Sequence, residues 1–209
     1  MGTRYNLIAG QSVERLAALS DGLFAVAMTL LVLDLKVPVA QGLETDTALL
    51  AALRDLAPRL VVYLMSFLTL GIFWVGQQTQ HTHYARSDRH LTWIHLGFLF
   101  AVSLMPFSTS LMAEFITLRT ALVLYWLNIV ALGALLWVSW RYAVRSGLVE
   151  PGVAEAVDRS VRRRIYIAQG LYAAGAALCL FSTYWSIGFI MLVQMIYVVG
   201  PRTGILSRI

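Results

Sequence analysis

The sequence predicts an all-α integral membrane protein: a single domain over residues 1–209, six transmembrane helices per subunit, and both termini on the cytoplasmic side. Three observations carry this. Hydrophobic residues make up 59% of the chain and charged ones only 13%, about half the charged share of a soluble domain, and the mean hydropathy is +0.72. The apolar residues gather into six runs near the roughly 20 residues that a bilayer span needs, and none alternates at the period of two that a transmembrane barrel strand requires. With the N-terminus inside, Arg4, Arg15, Arg86, Arg89, Arg141, Arg145, Arg159, Arg162, Arg163, Arg164, Arg202 and Arg208 are cytoplasmic, and only Lys36, Arg54, Arg59 and Arg119 lie outside. That sorting matches the excess of basic residues in cytoplasmic loops.

The first run, 14–37, follows a polar stretch containing Arg4, Asn6, Gln11, Glu14 and Arg15, with no small-residue cleavage pattern after it, so it is expected to stay in the mature protein. Thr45–Leu56 (TDTALLAALRDL) reads as a short amphipathic surface helix with Thr45 or Asp46 as its N-cap. Pro58 then opens the second span, 57–80. The third and fourth spans are expected at 91–112 and 119–142. The fifth and sixth, 165–182 and 184–200, share an apolar stretch interrupted only by Ser182-Thr183-Tyr184-Trp185, read as a tight hairpin; without it the count falls to five and the C-terminus changes side. Arg162-Arg163-Arg164 reads first as a topology anchor and second as a site for an anionic lipid headgroup. Trp93, Trp126, Trp137, Trp140 and Trp185 are expected at the membrane interfaces.

The basic balance, with a pI near 9.7, is accounted for by residues flanking spans and implies no nucleic-acid partner. Cys179 is the only cysteine, which excludes intramolecular disulfides and cysteine metal clusters. His81-Thr82-His83, with His90 and His95 nearby, invites a metal or proton-relay reading, but a His-x-His pair at a helix end puts its rings on different faces, and a structural role is the plainer one. No metal site is expected. Nor does the chain hold a Ser/His/Asp set with a plausible elbow, a phosphate loop, or paired carboxylates in a span, so it is not read as an enzyme.

The first run is the informative one. At about 100° per residue, Gly22, Val26, Leu30, Leu33 and Val37 fall within roughly 40° of one line, Thr29 sits at the stripe's edge, and Phe24, Met28, Leu31 and Leu35 face the other way. Periodicity alone leaves open whether this stripe meets protein, lipid or a pore. Arg15, Ser20 and Asp21 mark the cytoplasmic entrance, where ionisable residues in a span need partners. Arg15 and Asp21 lie about 120° apart, so each is expected to find its partner on another helix. Gly22 removes a side chain where helices would approach closely. Asp34 coincides with the negative end of the helix dipole, where several copies around an axis would attract cations.

Arg15-x-x-x-Leu19-Ser20-Asp21, followed by Gly22-Leu23-Phe24-Ala25-Val26-Ala27-Met28-Thr29-Leu30, resembles the Arg-x-x-x-Phe-Ser-Asp signature of the transmembrane protein 175 family, potassium-selective channels of endosomes and lysosomes with bacterial homologues. Tyr63-x-x-Ser66-Phe67, Phe73-Trp74 and Leu104-Met105-Pro106-Phe107-Ser108-Thr109 continue the resemblance through three spans; the last three spans are similar in hydropathy only. Leu19 stands where the family usually has Phe, and His95 where Asn is common.

The resemblance implies a six-span subunit and, because animal members carry two such repeats and dimerise, a homotetramer for a chain with one repeat. The first helix would line a central pore, with constriction rings at Val26, Leu30 and Leu33, selectivity at Thr29, an outer mouth at Asp34, and a structural network of Arg15, Leu19, Ser20, Asp21, Gly22, Trp74 and His95. Within that network His95 is expected against Arg15, Ser20 or Trp74. The family's function implies passive potassium conduction with no cofactor beyond the permeant K⁺, in a bacterial inner membrane among its lipids. A proton-permeable channel, a secondary cation transporter and a non-conducting scaffold are the competing readings. No Thr-Val-Gly-Tyr-Gly stretch occurs, so selectivity must arise without a filter of backbone carbonyls.

Overall fold

The structure is a computed structural model that describes residues 12–39 and 44–199, and of 153–156 the backbone alone. Both chain termini, with Arg4, Arg202 and Arg208, lie outside the described residues. In chain order the helices are α1 (Val13–Leu30), tightened by a 3₁₀ turn at Leu31–Asp34, α2 (Asp46–Asp55), α3 (Ala57–His81), α4 (Arg89–Ser103), α5 (Met105–Glu114), α6 (Arg119–Arg145), α7 (Val153–Ala177) and α8 (Thr183–Val199).

Four stretches among the described residues are helical, long and apolar enough to cross a bilayer: Val13–Asp34, Ala57–His81, Arg89–Glu114 and Arg119–Arg145. The shorter α8 is apolar over 17 residues. In α7 the first half carries Asp158, Arg159, Arg162, Arg163 and Arg164.

Several ends follow from local chemistry. Thr45 is the N-cap of α2, its Oγ1 accepting from Ala48 N at 3.2 Å. Pro58 occupies the first turn of α3, where a missing N–H costs nothing. Asp88 caps α4 by accepting from Leu91 N at 2.7 Å and from the Tyr142 hydroxyl at 2.6 Å.

Four expectations need correction. The first helix ends at Asp34, three residues short of 37, where the backbone leaves αR at Leu35. The third span is two helices joined at Leu104, because Pro106 in the first turn of α5 has no N–H to continue the α4 ladder. The fifth helix begins at Val153 rather than 165, so Arg162-Arg163-Arg164 lies inside a helix and not on its flank. Trp140 is fully buried, donating from Nε1 to Asp158 Oδ1 at 3.0 Å, and is no belt residue. Trp93 and Trp185 are exposed.

The main core joins α1, α3, α4, α5, α6, α7 and α8 around Phe24, Phe73, Phe98, Met105, Leu122 and Tyr125. A hydroxyl network ties α3, α5, α6 and α8 within it: Thr109 donates to Ser66 at 2.8 Å, Ser66 to Tyr125 at 3.2 Å, and Gln194 to Thr69 at 2.6 Å. In an apolar interior each such bond spares a costly unpaired group. A smaller core of Tyr84, Leu91, Trp140, Ala143, Leu148 and Val149 closes one end of the bundle. There Ala85 N donates to Leu148 O at 2.9 Å and Glu150 N to His83 O at 3.0 Å, pairing the α3–α4 and α6–α7 connections. Gly147 and Gly152 take positive φ, +64° and +83°, in the turns on either side of Val149, a region that side chains rarely enter. Burial pushes the Tyr84 hydroxyl's ionisation well upward, which keeps it a neutral donor to Gln80.

Candidate pore-lining helix and the network behind it

Ser12 starts α1 by accepting from Arg15 N at 3.2 Å. The helix then divides into two faces. Leu16, Ser20, Phe24, Ala27 and Leu31, spaced by three and four residues, are buried against α3, α4 and α5. Phe24 packs 6.0 Å from Phe98, which lies 6.5 Å from Phe73. On the other face Val26, Leu30 and Leu33 are 54%, 44% and 69% exposed, against 1% for Phe24 and 0% for Leu31. Gly22, Thr29 and Val37 are exposed with them. The stripe read from the helical wheel is therefore a continuous uncovered apolar surface on the single subunit.

What fixes this rotation is polar. Ser20 Oγ lies 2.8 Å from Leu16 O, 2.7 Å from His95 Nε2 and 3.0 Å from Gln77 Nε2. Ser20 has one proton and the Leu16 carbonyl can only accept, so the arrangement that satisfies all three has His95 Nε2–H and the Gln77 amide donating to Ser20. Gln77 Nε2 also reaches His95 Nδ1 at 3.2 Å. Ser20, Gln77 and His95 are all buried. One residue along, Asp21 Oδ1 accepts from Trp74 Nε1 at 2.8 Å and Gln78 Nε2 at 3.2 Å. Two adjacent residues of α1 are thus gripped by α3 and α4 from different directions.

The remaining expected residues fall less uniformly. Arg15 makes no side-chain hydrogen bond or ion pair with another described residue, so its expected cross-helix partner is missing there. Leu19 is exposed and stands apart from the network. At Gly22 no atom of the described residues lies within 4 Å of where a Cβ would stand, so none of the described helices makes the close approach expected there. Asp34 accepts a hydrogen bond from Ser110 on α5, which ties the last turn of the helix to its own subunit. The Thr29 hydroxyl donates back to Val26 O at 2.8 Å and Ala25 O at 3.0 Å. Its proton is spent on the backbone, so the outward-facing oxygen offers lone pairs, which suit a cation. The His81 ring lies 4.9 Å from His95 while His83 lies 6.3 Å from Trp140, so the two rings do serve different faces. No group of three His, Cys, Asp or Glu among the described residues could hold a metal.

Sequence reasoning missed Gln77, Gln78 and Ser110. The signal available for the two glutamines was their position inside an apolar span, where an amide needs a partner.

The family model described as "Endosomal/lysosomal potassium channel TMEM175" matches residues 15–106, from the entrance of α1 to the α4–α5 break. A potassium channel of Streptomyces collinus is 33% identical over 194 residues, covering 90% of this chain and 84% of its own length. The chain belongs to the TMEM175 family. A potassium channel of Chamaesiphon minutus is 30% identical over 181 residues, 83% of this chain and 87% of its own. A crystal structure of a lysosomal potassium-selective channel TMEM175 homologue from Chamaesiphon minutus superposes with a TM-score of 0.77 at 28% identity, over 90% of this chain and 96% of that one. The human relative, an endosomal/lysosomal proton channel TMEM175, is 24% identical over 190 residues, which is 90% of this chain but 37% of the human protein. This TMEM175 family member is thus an integral membrane protein of an ion-channel family, not of an enzyme class.

Proposed function

We propose that four copies of this chain surround a central pore and conduct K⁺ passively, with α1 as the lining. The subunit would cross a bacterial inner membrane six times with both termini in the cytoplasm, α7 and α8 supplying the last two crossings. The observation that carries this reading is the uncovered stripe of Val26, Leu30 and Leu33, set back to back with a face that Ser20 and Asp21 lock against α3 and α4.

Rings of Val26, Leu30 and Leu33 give an ion nothing to replace its water, and a bare ion among them would face a penalty of tens of kcal/mol. The ion therefore passes partly hydrated. K⁺ rearranges its shell more readily than Na⁺, so the constriction favours it modestly, and four Thr29 oxygens presenting lone pairs add to that preference. Slight narrowing of the same rings expels water and closes the path. Asp34 carboxylates at the outer mouth would raise the local cation concentration.

A second reading, proton permeation through the same water column, is supported by the human relative, an endosomal/lysosomal proton channel. One liposome experiment tests both. Purified protein should dissipate a K⁺ gradient faster than an equal Na⁺ gradient, Thr29→Ala should reduce that ratio, and Leu30→Ala should raise flux in the closed state. Saturable uptake coupled to a second ion would point to a transporter, and absence of flux to a scaffold. A proton current surviving in K⁺-free solution would establish the second reading.

A further inference from the structure

Beside the pore helix lies a hollow that conduction does not use. It has a volume of 450 Å³, inside the roughly 300–1,000 Å³ range of small-molecule sites. Its walls are Met28 of α1, the α3 face from Phe67 through Gly71 and Trp74 to Val75, Arg164 of α7, and Tyr197 and Val198 of α8. The apolar α3 wall from Phe67 to Val75 runs about 12 Å along the helix axis. Arg164 is the one charge among the described residues that line it. The guanidinium stands over the Tyr197 ring at 5.9 Å, and no carboxylate pairs with it among the described residues. Its neighbour Arg162, by contrast, is paired with Asp158 at 2.7 Å. A second hollow adjoins the first through Ile72, Arg164 and Tyr197, and is lined also by Gln169 and Tyr172. Gln169 Oε1 has no hydrogen-bond partner among the described residues. A cation with no carboxylate partner among the described residues, set beside an apolar trough, matches an amphiphile with an anionic head.

We propose that this groove binds one anionic phospholipid per subunit, its phosphate on Arg164 and one acyl chain laid along α3 from Val75 toward Phe67. Charge selects this occupant: a zwitterionic lipid brings a cation to a site that already holds one, and a free phosphate leaves the trough unfilled. The placement uses the membrane orientation given under Proposed function, in which Arg164, midway along α7, faces the inner-leaflet half of the bilayer. The bound chain would touch Met28, one residue from Thr29, and Trp74, which holds Asp21 of α1. The lipid would therefore press on the same rotational lock that aims the stripe.

Native mass spectrometry of the purified full-length protein, titrated with phosphatidylglycerol or with phosphatidylcholine of identical chains, tests this directly. Phosphatidylglycerol should bind about tenfold more tightly, and Arg164→Gln should remove that preference while Arg163→Gln, on an exposed neighbour, keeps it. Leu68→Trp, which fills the trough and leaves Arg164 intact, should lower affinity for both lipids, and inorganic phosphate should not compete. Equal binding of the two lipids, equal losses in Arg163→Gln and Arg164→Gln, unchanged binding in Leu68→Trp, or displacement by inorganic phosphate would each overturn the proposal. The readout needs no ion flux, so failure here leaves the pore reading standing, and failure of conduction leaves this one to be judged alone.

Discussion

Ser20→Ala and Thr29→Ala remove one hydroxyl each from the same helix, and the structure gives them opposite consequences. Ser20 is 1% exposed, and its Oγ meets Leu16 O, His95 Nε2 and Gln77 Nε2 within 3.0 Å. Deleting it abolishes three bonds, each contributing a net of about 0.5–1.5 kcal/mol, and strands a His95 N–H and a Gln77 amide in a dry interior. The sum is about 1.5–4.5 kcal/mol, enough to lower the thermal unfolding midpoint in detergent by several degrees. Thr29 is exposed and its hydroxyl bonds only to its own helix, so its removal should move stability by less than about 0.5 kcal/mol. In liposomes the order reverses: Thr29→Ala should change the K⁺/Na⁺ flux ratio, whereas a folded Ser20→Ala, its α1 still held through Asp21 by Trp74 and Gln78, should keep that ratio. If Ser20→Ala melts with the wild type, or Thr29→Ala is the less stable of the two, the division of α1 into a gripped face and a free face is wrong.

Further outcomes follow from the same geometry. In a Cys179→Ser background, cysteine at 26, 30 or 33 should react with a charged thiol reagent and lose flux, whereas cysteine at 24 or 31 should resist it. Trp140→Phe leaves Asp158 without its 3.0 Å donor and should cost about 1–3 kcal/mol in chemical unfolding. Arg59→Ala breaks a 2.6 Å pair with Glu114, but both side chains are solvent-accessible, so its unfolding free energy should stay within about 1 kcal/mol of wild type.

The sequence disclosed whatever announces itself by period or by a costly residue. The α1 stripe was legible because Gly22 and four apolar positions recur at the helical spacing, and a partner for His95 was legible because a polar residue in a span demands one, though which of Arg15, Ser20 and Trp74 it would be stayed open. Gln77, the third member, was not legible: nothing in its position relative to Ser20 or His95 says which helix turn will meet which. The first turns of α7 were hidden because hydropathy detects apolar surroundings and not helicity, and the charges from Asp158 to Arg164 mask a regular backbone. Pro106 was seen as part of a motif while its effect on the α4–α5 ladder was not. Trp140 misled because a tryptophan near the end of a span usually marks the interface, whereas this one fills a core beside Asp158.

The uncovered face of α1 bears on biogenesis. In hydrocarbon, Val26, Leu30 and Leu33 are as comfortable against acyl tails as against one another, so a solitary copy released from the insertion machinery meets no penalty for leaving them bare. Rings of the kind proposed would then form through close side-chain fit and not through expulsion of water, so that their yield would depend on how densely the membrane is populated.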